Sequence, residues 1–95
     1  MVYDIPEWAL EAAARHGVEP YEIMQVLTGP GRRWPRPVRG KGNLPAVMII
    51  GRTASGAPLA VVVRLVAQWE QQVIGVLPVI GTLLAEFEKW EEHHE

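Results

Sequence analysis

The 95-residue chain contains no cysteine, which excludes disulfide bonds and thiolate metal sites and gives no sign of an oxidising compartment. It also has no long hydrophobic run. Its longest uncharged stretch, residues 71–85, is shorter than the roughly 20 residues that a membrane-spanning helix needs, and glycine and proline interrupt it. No basic segment followed by an apolar run marks a signal peptide at the N-terminus. We therefore expect a soluble cytoplasmic protein that does not enter a membrane.

Acidic residues are absent from residues 23–69, although the whole chain has 11 Asp and Glu. The same segment carries seven basic residues, which are Arg32, Arg33, Arg36, Arg39, Lys41, Arg52 and Arg64. Both ends of the chain are acidic overall, so the formal net charge of −2 conceals a strongly basic centre. Charge segregation of this kind creates a local field that attracts a polyanion.

The length and a hydrophobic fraction of 48% predict one folded domain, residues 1–95, with a substantial core. Asp4 is expected to cap a first helix that ends at Gly17. Pro20 is expected to open a second helix that ends near residue 29. Thr82 is expected to cap an acidic amphipathic helix, residues 82–95, that packs through Phe87 and Trp90. Its glutamates, Glu86, Glu88, Glu91 and Glu92, are expected to face water.

Between the second and the last of these helices, the amino-acid composition of the chain changes. Residues 29–45 are rich in glycine and proline and are predicted to form a long basic loop. Residues 46–52 and 59–67 are rich in Val and Ile and predict a β-hairpin, followed by a third strand over residues 72–80. One apolar helix over residues 59–77 is the alternative, but three consecutive valines favour strand. The sequence indicates an α+β domain with a small antiparallel sheet of three to four strands, two N-terminal helices and one C-terminal helix.

Three short motifs follow one another along this pattern. Arg-His-Gly-Val closes the first helix at residues 15–18, Ile-Ile-Gly-Arg-Thr ends a strand at residues 49–53, and a Val-rich strand begins at residue 59. In this order they resemble the BrnT family, toxins of type II toxin–antitoxin pairs with a fold related to the RelE ribonucleases. The resemblance implies a metal-independent endoribonuclease without a cofactor that blocks translation and is neutralised by a cognate antitoxin. An isolated chain of this kind could also form a homodimer.

The chain departs from the family's pattern at two places. The first helix has three alanines at residues 12–14 where the family usually has an asparagine upstream of the His-Gly motif. The last strand also lacks the arginine that usually precedes the closing helix. Because a cation there would lie beside the scissile phosphate, the sequence leaves catalysis open, while the expected fold and partners are unaffected.

Metal-independent RNA cleavage needs a general base, a general acid and cations that stabilise the charge on the phosphorane. We predict His16 and Arg52 as the catalytic residues, because histidine is the usual proton-transfer group at neutral pH and His16 is the histidine expected within the folded body. The predicted RNA-binding residues are Arg32, Arg33, Trp34, Arg36, Arg39 and Lys41. These residues also have structural alternatives. His16 can interact with the dipole of its helix, Arg52 can bind a carboxylate, and Trp34 can anchor its loop. The basic residues between Arg32 and Lys41 can belong to a solvated loop. Adjacent His93 and His94 make a poor metal site, and no metal is expected.

Two further classes of function stay open. The chain could be a non-catalytic binding module whose basic centre engages RNA or an acidic protein partner. Residues 10–29 could also form a DNA-binding helix-turn-helix, but Glu19 and Glu22 would then face the phosphates. We also raise the hypothesis that the acidic C-terminal helix folds back over the basic surface and screens it. Arg64 is expected to pair with a glutamate or to lie exposed at an edge.

Overall fold

The computed structural model describes residues 2–93, apart from the side chain of Lys41. Its strands are β1 (Val2–Asp4), β2 (Trp34–Arg39), β3 (Pro45–Arg52), β4 (Pro58–Ala67) and β5 (Glu70–Pro78). Its helices are α1 (Glu7–Arg15), α2 (Pro20–Thr28) and α3 (Gly81–His93), and a 3-10 turn, Lys41–Asn43, precedes β3. The α+β class is confirmed. Within these residues, no helix is long and apolar enough to cross a membrane.

The five strands form one sheet in the order β1-β5-β4-β3-β2. The pairs β2–β3, β3–β4 and β4–β5 are antiparallel, whereas β1 runs parallel to β5. The sheet is therefore mixed, and the prediction of a purely antiparallel sheet with three to four strands is wrong. The additional strands are β1, which precedes the first helix, and β2, which lies inside the predicted loop.

The edge position of β2 explains why a proline-rich sequence forms a strand. Proline cannot donate a hydrogen bond to a neighbouring strand, and a sheet interior excludes it. Strand β2 pairs with β3 alone, with Pro35 opposite Ile49 and Pro37 opposite Val47. An edge strand tolerates proline where the missing N–H would face solvent. The predicted loop is therefore reduced to its two ends, on either side of β2.

The helix boundaries follow local signals with two differences. Gly17 has a φ of 74°, a left-handed conformation that ends a helix, as predicted. Asp4 does not cap α1. It lies in β1, where its carboxylate accepts a hydrogen bond of 3.5 Å from Gln72, and Pro6 is the N-cap without a side-chain bond. Thr82 lies inside α3, which already begins at Gly81.

The two faces of the sheet carry different helices. Helices α1 and α2 cover one face, where Val61 and Val63 of β4 are buried against Ile23 and Leu27 of α2. The intervening side chains of a strand point to the other face. There α3 packs through Phe87 on a second cluster, whose buried strand residues are Ile50 and Ala60. We call this second side the α3 face.

Candidate functional site

Three predicted basic residues come together at the α3 face, and we call Arg32, Arg36 and Arg52 the arginine cluster. Arg36 lies in β2 opposite Met48, which packs beneath α3. Arg52 ends β3, two residues after the buried Ile50, so its side chain leaves the sheet on the same side. Arg32 precedes β2, and its Nη2 donates to the main-chain oxygen of Glu91 at 3.3 Å.

Two ion pairs connect the arginine cluster to α3. Arg36 Nη1 lies 3.0 Å from Glu86 Oε2. Arg52 binds Glu91 through two bonds, from Nε to Oε2 at 2.9 Å and from Nη2 to Oε1 at 2.8 Å. This bidentate geometry gives the strongest pairing between arginine and a carboxylate. The expectation that Glu86 and Glu91 face only water is therefore wrong.

The Arg52–Glu91 pair shifts the pKa values of both partners. The hydrogen bond from Arg52 lowers the pKa of the Glu91 carboxyl below its usual range, against the opposing effect of burial, and the charges of Arg52 and Arg32 lower it further. The hydrogen bond to Glu91 likewise raises the pKa of Arg52. Both groups are thus charged across the neutral range.

Three nearly parallel aromatic rings pack against the guanidinium groups of the arginine cluster. The ring of Trp34 lies 5.6 Å from that of Trp90 and 6.4 Å from that of Phe87, measured between centroids. Each ring has one guanidinium group near it, at 4.7 Å for Arg36 on Trp34, 5.4 Å for Arg52 on Phe87 and 5.8 Å for Arg32 on Trp90. Aromatic faces attract cations. Trp34 therefore anchors β2 to α3 and supports the cluster.

The other predicted RNA-binding residues lie apart from the cluster. Arg33 donates a hydrogen bond to the main-chain oxygen of Leu27 and so engages the last turn of α2 on the other face of the sheet. Arg39 is exposed at the end of β2, and its side chain alternates away from those of Trp34 and Arg36. The side chain of Lys41 lies outside the described part of the chain.

The structure does not bring His16 to Arg52. His16 is the exposed C-cap of α1, and its backbone N–H donates to the oxygen of Ala13 at 2.9 Å. Helix α1 covers the face of the sheet opposite the arginine cluster. Among residues 2–93, no side-chain hydrogen bond or ion pair involves the imidazole. The two predicted catalytic side chains thus belong to opposite sides of the sheet.

The ion pairs of Glu86 and Glu91 agree with the hypothesis that the acidic C-terminal helix folds back over the basic surface, although neither glutamate was predicted as a site residue. A signal for them was present, since the central segment has only basic charges and the last helix has a surplus of acids. Their spacing along the helix also places them beside the aromatic residues of α3. Residues four apart share a helix face, so Glu86 lies beside Trp90, and Glu91 lies beside Phe87.

The arrangement is suited to binding an extended anion. Guanidinium groups have the geometry that binds phosphate or carboxylate oxygens, and here Arg36 and Arg52 already donate to Glu86 and Glu91. The described residues contain no group of three His, Asp or Glu side chains that could hold a metal ion. His94 lies outside these residues. No protein-family model, curated protein or solved structure matches the chain.

Proposed function

We propose that the chain is an RNA-directed protein of the BrnT type, the toxin component of a type II toxin–antitoxin pair, and that its arginine cluster binds the RNA backbone. The convergence of Arg32, Arg36 and Arg52 on one side of the sheet supports this proposal. Arginine binds phosphate through paired N–H groups, which lysine cannot do. The RelE-like fold and the neutralising antitoxin belong to the same proposal.

The carboxylates of Glu86 and Glu91 occupy the positions that RNA phosphates would take. Both are oxygen anions held at 2.8–3.0 Å from guanidinium nitrogens. The side chains of Arg36 and Glu86 are 41% and 49% exposed, so solvent weakens their attraction. RNA would displace the two glutamates while Phe87, which is 1% exposed, keeps α3 seated on the sheet.

In the catalytic form of this proposal the protein is a metal-independent endoribonuclease that inhibits translation. Arg52 would stabilise the charge that develops on the phosphorane, and His16 would transfer a proton. The distribution of His16 and Arg52 over opposite sides of the sheet favours a second candidate, a binding module that holds RNA or an acidic protein segment without cleaving it.

DNA binding is not proposed. Glu19 and Glu22 form a capping box at the N-terminus of α2, in which the Glu19 N–H donates to Glu22 Oε1 at 2.9 Å. Two carboxylates are therefore fixed at the end where a recognition helix meets the DNA groove. They would repel the phosphates of a duplex.

Incubation of the purified chain with single-stranded RNA in EDTA separates the two candidates. Cleavage that is lost in both Arg52→Ala and His16→Ala supports the endoribonuclease. Reversible binding to intact RNA that is weakened by Arg52→Ala, but not by His16→Ala, supports the binding module. Arg15→Ala is the matched control, because Arg15 lies in the last turn of α1, away from the cluster. The absence of both cleavage and binding would refute both candidates.

A further inference from the structure

Helix α3 leaves part of its sheet face uncovered, and a groove of about 530 Å³ lies there. Its lining includes Leu44, Val62, Arg64, Ile74 and Gly75, and Trp8 at the start of α1 also borders it, although the rest of α1 covers the other face. The groove continues the surface beneath α3, because Val62 is the cross-strand partner of Met48, which packs against that helix. Val62 also pairs with Gly75, whose missing side chain gives the groove its depth.

Arg64 is the charged side chain of this groove, and it binds the neutral Gln72, which in turn donates to the Asp4 carboxylate at 3.5 Å. Arg64 Nε and Nη2 donate to Gln72 Oε1 at 3.0 and 2.8 Å, and Arg64 forms no ion pair within residues 2–93. Arg64 is exposed, but β4 is an interior strand of the sheet, so the expectation of an ion pair or of an edge position is wrong. The described groove lining contains no Asp or Glu. On the same face, Arg36 and Arg52 each bind a glutamate of α3.

Apolar side chains extend this surface beyond the groove to the tip of the β4–β5 hairpin. Leu65 and Val66 join Leu44 and Arg64 around a second depression, and Leu65 is 64% exposed. Trp69, in the hairpin turn, is 65% exposed. Exposed apolar side chains that gather around a depression, as Leu65 and Val66 do, mark an interaction site. The extent of this surface exceeds one cavity, which favours a macromolecule over a small ligand.

We infer that this groove docks an amphipathic helix of a partner protein, with apolar side chains against Val62, Ile74 and Gly75 and a carboxylate on Arg64. Helix α3 demonstrates this chemistry on the same face, where Phe87 fills the core and Glu91 binds Arg52. Helices bind apolar grooves in this way in other proteins. A single cation among apolar side chains offers little to a nucleic acid. The inference adds to the proposed function and does not rest on RNA binding.

A peptide with the sequence of residues 81–93 is a suitable probe, because it carries the acidic and apolar side chains that this face already binds. The full chain, labelled with ¹⁵N, is titrated with this peptide and with a version in which every glutamate is glutamine. We expect chemical-shift changes that are largest at the backbone amides of Trp8, Ile74 and Gly75. Dissociation constants on the order of 1 mM are expected, since short free helices are marginally stable. The neutral peptide should bind several-fold more weakly.

Two variants test the assignment to the groove. Gly75→Val fills the groove and should abolish the shifts. A Cβ at Gly75 would lie 3.7 Å from Val62, an ordinary contact, and valine suits a strand. Arg64→Gln should lower the affinity for the acidic peptide to that for the neutral one. Arg15→Gln, a change at an exposed arginine in the last turn of α1 and outside the groove lining, is the matched control and should alter neither affinity. Unchanged dispersion of the spectrum verifies that each variant is folded.

Several results would overturn the inference. Shifts confined to Trp34 and Ile50 would mean that the peptide exchanges with α3 instead of entering the groove. Equal affinity for the acidic and neutral peptides would remove the role of Arg64. Shifts that depend on protein concentration without peptide would identify a second copy of the chain as the occupant. No shift at several millimolar peptide would leave the groove without a helical ligand.

Discussion

At the scale of single residues, Glu91 controls the charge of the arginine cluster. It binds Arg52 through both carboxylate oxygens, and its main-chain oxygen accepts from Arg32. Its side chain is 27% exposed, and that of Arg52 is 36% exposed. Solvent therefore reduces the strength of the pair, and we assign it no more than about 1 kcal/mol of stability.

The lowered pKa of Glu91 fixes the direction of a pH effect. A carboxyl that is more acidic in the folded state stabilises the fold fully above its unfolded pKa. That contribution is lost as the pH falls through the folded value. We expect the difference in unfolding free energy between the wild type and Glu91→Gln to be constant near neutrality and to vanish in acid. Urea unfolding from pH 7 to pH 2 measures it, and a difference that grows in acid would contradict the assignment.

At the scale of elements, the attachment of α3 depends more on Phe87 than on its ion pairs. Phe87 is 1% exposed and packs with Ile50, Ala60 and Val79. Removal of a buried phenylalanine side chain costs about 3–5 kcal/mol, whereas an exposed ion pair contributes about 0–1 kcal/mol. We expect Phe87→Ala to lower the urea midpoint far more than Glu86→Gln does. Similar losses in the two variants would show that charge holds the helix.

The glutamates of α3 should compete with RNA for the arginine cluster. Glu86→Gln combined with Glu91→Gln removes both competing carboxylates and leaves Phe87 in place, so we expect RNA affinity to rise by up to about tenfold. The combination of Glu7→Gln and Glu11→Gln changes the net charge equally on α1 and serves as the control. Fluorescence anisotropy with labelled RNA measures both. An equal gain in the control would indicate a general charge effect.

Local sequence signals identified most elements but not the ones that build the site. Gly17 and the valine-rich segments marked the end of α1 and the β3–β4 hairpin, because their effects are local. Strand β2 could not be recognised, since proline is acceptable only at a sheet edge and the edge is set by tertiary pairing. The register of β2 on β3, which places Arg36 opposite Met48, is equally non-local. The sequence therefore could not predict which arginines come together on one face of the sheet.

At the scale of the whole molecule, the fold divides the basic centre between two faces of one sheet. Arg33 engages α2 on one face, and the arginine cluster lies under α3 on the other. Arg64 belongs to the groove beside it. The sequence predicted that the basic residues 32–41 and Arg52 share one surface, but the sheet brings only Arg32 and Arg36 to Arg52 among the described side chains. A chain with a net charge of −2 thus gathers three guanidinium groups on one face, and two of them pair with glutamates of α3.

The dependence of RNA affinity on salt tests this local site against the acidic molecule as a whole. We expect affinity to fall with salt, because each contacted phosphate releases counterions and contributes a slope of about −0.7 for single strands. Arg32→Gln, Arg36→Gln and Arg52→Gln should each reduce the slope by about that amount. Arg15→Gln makes the same charge change on α1 and should leave it unaltered. Equal reductions in all four variants would mean that RNA responds to overall charge, and the arginine cluster would then not be its binding site.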